Sequence, residues 1–353
     1  MPWVAHDLGF QIGGSYSIAL ATTADDDVLV IVGQGDTASS SFESHGFWWT
    51  EATGMIDLGV LAGGTFSIAT GVSADGTKVS GQGDAFDGLI HPILWEMDID
   101  GTILNMTALP FVLGGERGVA YGVSADGTTV VGYSDIDPFP TPNHDPTIWA
   151  PGLDDIGVCP GNTEGIALAA SADGSTIVGG TNQLTAIPWI FTLITGSIPM
   201  PLASGEGQGE ARAVSGDGLA ATGWNTTTPG AAQHAFLWTS AGGTDLIGAF
   251  PGADFSVGNG ISTFGTFIVG DSATTGNHRA FLWDVTDAPG DFEELFPLFG
   301  GGSAVARAIS GVNIDNDMVI AGECIVAGER HAIYWTFAPG AYPVSTIIGK
   351  RTA

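Results

Sequence analysis

Positive charge is scarce in this chain. Eight Lys and Arg stand against 38 Asp and Glu in 353 residues, a formal net charge of −30. Phosphate is held by basic stripes, so nucleic acid is excluded as a partner, and anionic membrane surfaces are disfavoured for the same reason. Cysteine is nearly absent as well. Cys159 and Cys324 show no CxxC spacing for zinc or redox work and stand far apart in the chain, so both are expected to be buried or idle thiols. No apolar run approaches membrane-spanning length, which argues against insertion. The opening MPWVAHDLGF has neither a basic nor an apolar segment of the secretory kind. Export would then follow loss of a leader, or use another route. No GxSxG elbow, P-loop or HExxH occurs, so no such active site can be placed and no cofactor is expected.

Glycine, by contrast, is abundant at 55 residues, hydrophobic residues make up 44% and mean hydropathy is +0.27. Disorder needs the opposite balance. Many tight turns between apolar strands account for the glycine. The acidic charge keeps such a β-rich chain soluble and apart from its copies; salt adaptation or cation binding is the sharper alternative, and the metal question stays open.

One stretch, GGTFSIATGVSADGTKVSGQGDAFDGLIHPILW from Gly63 to Trp95, is repeated along nearly the whole sequence. VSADGTTVVG (Val123 to Gly132), ASADGSTIVG (Ala170 to Gly179), VSGDGLAATG (Val214 to Gly223) and ISTFGTFIVG (Ile261 to Gly270) keep its frame. Two stretched copies carry Asp25 to Asp27 and Asp315 to Asp317. Trp49, Trp95, Trp149, Phe191, Trp238, Trp283 and Trp335 stand one per unit, about 48 residues apart, as four-stranded propeller blades require. A His precedes the Trp by four residues at His45, His91, His234 and His331, and by five at His144 and His278. HAFLW at His234 to Trp238 is the plainest copy.

These motifs resemble the extracellular HAF-repeat family. The resemblance covers nearly the whole chain and implies a fold and an address outside the cell, not a chemistry. We expect an all-β single domain, a seven-bladed β-propeller with units at 10–59, 60–109, 110–157, 158–203, 204–248, 249–298 and 299–349. Fourth-strand motifs (MIDLG at Met55 to Gly59) number one too many. Either Ala5 to Gly9 or Ser345 to Gly349 closes the ring and removes its exposed edge.

In the first strand of the six units that keep a closing Ser, the second and fourth residues before it are Ala or Gly, as in Gly71 and Ala69 or Ala308 and Ala306. The opposite face is large and apolar. Period two means strand, and the small face places it innermost, where sheets converge. Asp75-Gly76, Asp126-Gly127, Asp173-Gly174 and Asp217-Gly218 are expected to make tight hairpins, since both residues tolerate positive φ. Their carboxylates are too few for calcium. The histidines are tens of Å apart around a ring, so hydrogen bonding on the blade edge is expected of them rather than a shared metal.

The long irregular loops share the face opposite the Asp-Gly hairpins. That face carries the candidate ligand-binding residues Phe42, Asp84, Phe86, Asp135, Asp137, Phe139 and Trp224. Arg117, Arg212 and Arg307, on innermost strands, would suit a carboxylate at the channel mouth, against simple pairing with Glu116 or Glu210. No catalytic residue is assigned. The function expected is a non-catalytic binding or structural module outside the cell, on a virion surface as capsid decoration or tail. Its partners would be other structural proteins of a particle or surface layer, or glycans. A carbohydrate-active enzyme working at the channel mouth, and a secreted or envelope protein with its leader removed, are the alternatives.

Overall fold

The computed structural model describes residues 3–23, 29–37, 40–112, 114–136, 143–149, 152, 154–181, 186–203, 207–228, 230–274, 276–311 and 318–337, without the side chains of 40–43 and 274. Among them every regular element is a β-strand. The strands form seven four-stranded antiparallel sheets, each packed on the next around a ring: a seven-bladed β-propeller. Blades 1 to 6 each use four consecutive strands, spanning residues 17–57, 67–108, 118–155, 166–199, 209–248 and 255–295. Blade 7 takes three strands from Gly301–Ile309, Ile320–Val326 and Glu329–Phe337, and its fourth is the chain's first, Trp3–Gly9. The N-terminal segment therefore closes the ring, with Trp3 opposite Phe337 and Asp7 opposite Ile333. Residues 345–349 lie outside the described residues.

The aromatic positions keep step with the blades. Trp49 pairs with Ile31, Trp95 with Val79, Phe191 with Ile177, Trp238 with Ala221, Trp283 with Ile268 and Trp335 with Ile320. Trp149 donates its backbone N–H to Val130. In each case the partner stands two residues before the glycine of the second strand. The indole N–H of Trp95 donates to the Leu58 carbonyl of the preceding blade, that of Trp149 to Pro110 and that of Trp335 to Phe296. These large side chains both fill the space between blades and tie the blades together.

That glycine is set by its neighbour. In all seven innermost strands the register slips by one residue at the same place, the third residue from the end, so that Leu20, Thr70, Tyr121, Leu168, Arg212, Asn259 and Arg307 are each left without a paired residue. Such a bulge bends its strand and re-aims the extra side chain. It also drives the strand onto its partner. A Cβ on Gly33, Gly81, Gly132 or Gly223 would lie between 1.8 and 2.0 Å from a carbonyl oxygen of the bulged strand. Only glycine fits. On the other side of the slip, Ala19, Ala69, Ala120, Ala167, Ala211 and Ala306 are fully buried, which is why that face is small.

The Asp-Gly steps make the expected hairpins, with the positive φ taken by the glycine. The hairpin closes between Ser73 and Lys78, and only Gly76 is at positive φ. The aspartate acts through its oxygen instead. Asp75 Oδ1 accepts from Ser73 Oγ at 2.6 Å and from the Thr77 backbone N–H at 3.0 Å, while Ser73 Oγ accepts from Lys78 N–H. Asp126, Asp173 and Asp217 repeat this arrangement. Backbone bonds then pass from hairpin to hairpin: Ala74 to Ala125, Asp126 to Ala172, Ala172 to Gly216 and Gly216 to Thr263. The turns thus form a belt around one end of the channel.

Candidate functional site

The bulges aim one residue per blade into the central channel. The cavity they line has a volume of about 200 Å³. Its floor is an apolar constriction that includes Val72, Val123, Ala170, Ile261 and Ile309, which also line the cavity on the hairpin side. The walls are not equivalent. Blades 5, 6 and 7 present Arg212, Asn259 and Arg307, whereas blades 1, 2, 3 and 4 present Leu20, Thr70, Tyr121 and Leu168. A geometrically sevenfold scaffold is thereby chemically two-sided.

A second row repeats the asymmetry. The residue after the conserved-frame glycine is Gln34, Gln82, Tyr133 and Gly180 in blades 1 to 4, then Trp224, Asp271 and Glu323. Asp271 and Glu323 are buried carboxylates and both are partnered. Asn259 donates from Nδ2 to Asp271 and to the Ala306 carbonyl, both at 3.0 Å, and accepts from Arg212 Nη1 at 2.9 Å. Arg212 Nε holds Glu210 at 2.7 Å. Glu323 accepts from Arg307 and, on its other oxygen, from Arg330 at 3.2 Å. Asp271 Oδ2 lies 2.6 Å from His278 Nδ1. That bond, against the opposing effect of burial, raises the His278 pKa above its ordinary value. A further cavity of about 180 Å³ lies between blades 6 and 7, with His278, Arg307, Glu323 and Arg330 on its walls. Buried Cys324 also lines it, and burial raises the pKa of its thiol, as it does for Cys159; both cysteines are free.

Of the residues expected to bind, Arg212 and Arg307 line the same channel cavity on either side of Asn259, and the anticipated Arg212–Glu210 pair is present. Arg117 is exposed just ahead of the blade 3 innermost strand and acts electrostatically on Tyr121, Tyr133 and Asp135. Burial raises the Tyr133 phenol to about 12. Asp135 is buried 3.4 Å from His144; burial raises its pKa, and His144 and Arg117 oppose that. Asp84 is engaged in the fold. It accepts from the Thr65 and Phe66 backbone N–H groups at 2.7 and 2.8 Å and from Thr65 Oγ1, fixing the loop that leads into blade 2. Burial works the other way, yet these bonds lower its pKa. Asp36 does the same in blade 1. Phe86 is 85% exposed on the rim, and Trp224 is half-buried, opposite Glu210 in register. Asp137, Phe139 and the Phe42 side chain lie outside the described residues.

Comparison with known proteins supports the fold and stops there. No family model matches, and no curated protein matches. Among solved structures, the β-propeller domain of the Trilobed protease from Pyrococcus furiosus is 10% identical with a TM-score of 0.53, over 91% of this chain and 94% of that one. The Dos1 propeller is 11% identical with a TM-score of 0.51, over 94% and 95%. One of two structurally analysed prolyl endopeptidases is 13% identical at 0.52, over 92% of this chain but 50% of its own. At such identities the likeness is one of architecture. The Pyrococcus domain is described as having an open velcro topology. Here the ring is closed by residues 3–9.

The sequence reading passed over Asn259, Asp271, Glu323 and Arg330. A signal was present. With the blades aligned on the second-strand glycine, the bulge position and the residue after that glycine vary most, inside an otherwise repeated frame. Four of the six repeat histidines bond a carboxylate, as expected: His45 pairs with Asp57, His91 with Asp87, His278 with Asp271 and His331 with Asp7, whereas among the described residues Nδ1 of His144 and of His234 is buried without a hydrogen-bond partner. Among the described residues no group of three or more His, Cys, Asp or Glu is placed to hold a metal ion.

Proposed function

We propose that this chain is a non-catalytic binding and structural module of the HAF-repeat type, displayed outside the cell on the surface of a virus particle. In this reading the irregular-loop face contacts neighbouring structural proteins or glycans. One observation carries it: the bulge, the second-strand glycine and the aromatic position that build the ring recur in all seven blades, while the loops and the channel positions differ. A repeated frame bearing non-repeated surfaces is the division of labour of a display scaffold. Closed edges and strong like charge suit a molecule that must stay dispersed in the open medium.

Mass spectrometry of purified particles against cell and medium fractions tests the location. Enrichment in particles supports it; the chain found only in the medium of uninfected cells, with a cleaved precursor, replaces the virion by a secreted protein. The binding face is tested by Phe86→Ala, which should weaken partner binding and leave the melting temperature unchanged. Turnover of a glycoside panel, abolished by Glu323→Gln in a folded protein, would replace this reading with that of a carbohydrate-active enzyme.

A further inference from the structure

We propose that the channel cavity is a binding site for a small organic carboxylate, gripped by Arg212 and Arg307 with its apolar body against Leu20, Leu168 and Tyr121. This site lies inside the ring and is independent of the loop face considered above.

In a chain with only eight Lys and Arg, two arginines at equivalent bulge positions flank one asparagine on the same wall. Each guanidinium is anchored by part of its donors only. Arg212 uses Nε on Glu210 and Nη1 on Asn259, and Arg307 uses Nη2 on Glu323. Among the described residues, the remaining terminal nitrogens have no recorded partner, and Arg307 Nε is buried without one. Asn259 fixes the Arg212 guanidinium from one side and is itself held by Asp271 and by the Ala306 carbonyl, next to Arg307 in the neighbouring blade. A planar anion answers such a fork best, since carboxylate pairs with guanidinium bidentately and the half-enclosed channel weakens competition from water.

Neighbouring charge selects among anions. Glu210, Asp271 and Glu323 stand within the same sector and would repel a phosphate dianion more strongly than a singly charged carboxylate. The opposite wall is apolar apart from Thr70, whose hydroxyl already donates to the Ala120 carbonyl at 2.6 Å, and the Tyr121 phenol. Pockets that combine an apolar lining with a few convergent polar groups are those that hold small organic ligands. A volume of about 200 Å³ above an apolar floor admits one ring-sized molecule.

The test is calorimetric titration of the intact chain with benzoate and with glucuronate, against benzamide, glucose and inorganic phosphate. The carboxylates should bind and the other three should not. Arg212→Gln and Arg307→Gln should each raise the dissociation constant at least tenfold, and Arg212→Lys, which keeps the charge but loses the fork, should weaken binding too. Leu104→Ala, on the hairpin side, should change nothing. Amide shifts in the unaltered protein must map to residues 121, 212, 259 and 307, which keeps the test valid should a variant misfold. Absence of carboxylate binding, equal binding of benzamide, or shifts confined to the outer loops would each overturn the proposal.

Discussion

A methyl group added to Gly132 would sit 1.8 Å from the Val119 carbonyl oxygen. Because that oxygen belongs to a bulged backbone, nothing nearby can move aside as a flexible side chain would. Gly132→Ala is expected to lose about 3 kcal/mol or more, whereas Gly302→Ala, with nothing within 4 Å, should stay within about 0.5 kcal/mol. Urea denaturation of both checks this. The turn aspartates make a second prediction at the same scale. Asp126 and Asp173 have pKa values below the ordinary one, the first chiefly through Ser124 Oγ and the second chiefly through the Ser175 backbone N–H. A depressed carboxylate contributes stability that is full above its unfolded value of 3.8 and is lost as pH falls through its folded value. Asp126→Asn and Asp173→Asn should therefore be destabilised at neutral pH, with the deficit shrinking below about pH 4. His278 has the opposite sign: its raised pKa gives stability present below 6.5 and lost as pH rises through the folded value. Proton NMR titration should find it above 6.5, and Asp271→Asn should bring it down.

At the scale of elements, the strand Trp3–Gly9 is what turns a row of seven sheets into a ring. It packs Trp3 at a tilt against Phe337 and stacks His6 on Tyr334, and His6 bonds Thr336 at 2.8 Å. Without it, the strand Glu329–Phe337 becomes an open edge. Removing residues 1–9 should lower the melting temperature by roughly 10 °C, at about 2–4 °C per kcal/mol, and promote self-association. A peptide of residues 1–10 supplied in excess should restore both. The choice of this strand over residues 345–349 was not legible in the sequence, since both segments carry a fourth-strand pattern. The blades themselves were legible, because Asp-Gly, the glycine and the Trp recur at fixed spacing and each is demanded by backbone geometry. The site was legible only in part. Arg212 and Arg307 are conspicuous in so acidic a chain, but Asp271 and Glu323 are ordinary acids until the bulge register aligns them with Gln34 and Tyr133.

Over the whole molecule, a charge of −30 on one closed ring means that self-repulsion opposes folding throughout. Added salt shortens the screening length from about 10 Å at 0.1 M to about 3 Å at 1 M. The melting temperature should rise with sodium chloride, in a single transition followed by calorimetry; a fall would mean that the surface ion pairs outweigh the repulsion. Closure has one more consequence, and it concerns time. His6 and Thr336 are 330 residues apart, yet they meet. On a ribosome the segment that carries His6 must wait, unpaired, until the segment that carries Thr336 has emerged, on the order of half a minute at usual elongation rates. Throughout that interval the nascent propeller is a growing arc that carries an unpaired, adhesive strand. Two arcs on neighbouring ribosomes can each offer that strand to the other, and the error this fold invites is the exchange of first strands between two newly made copies.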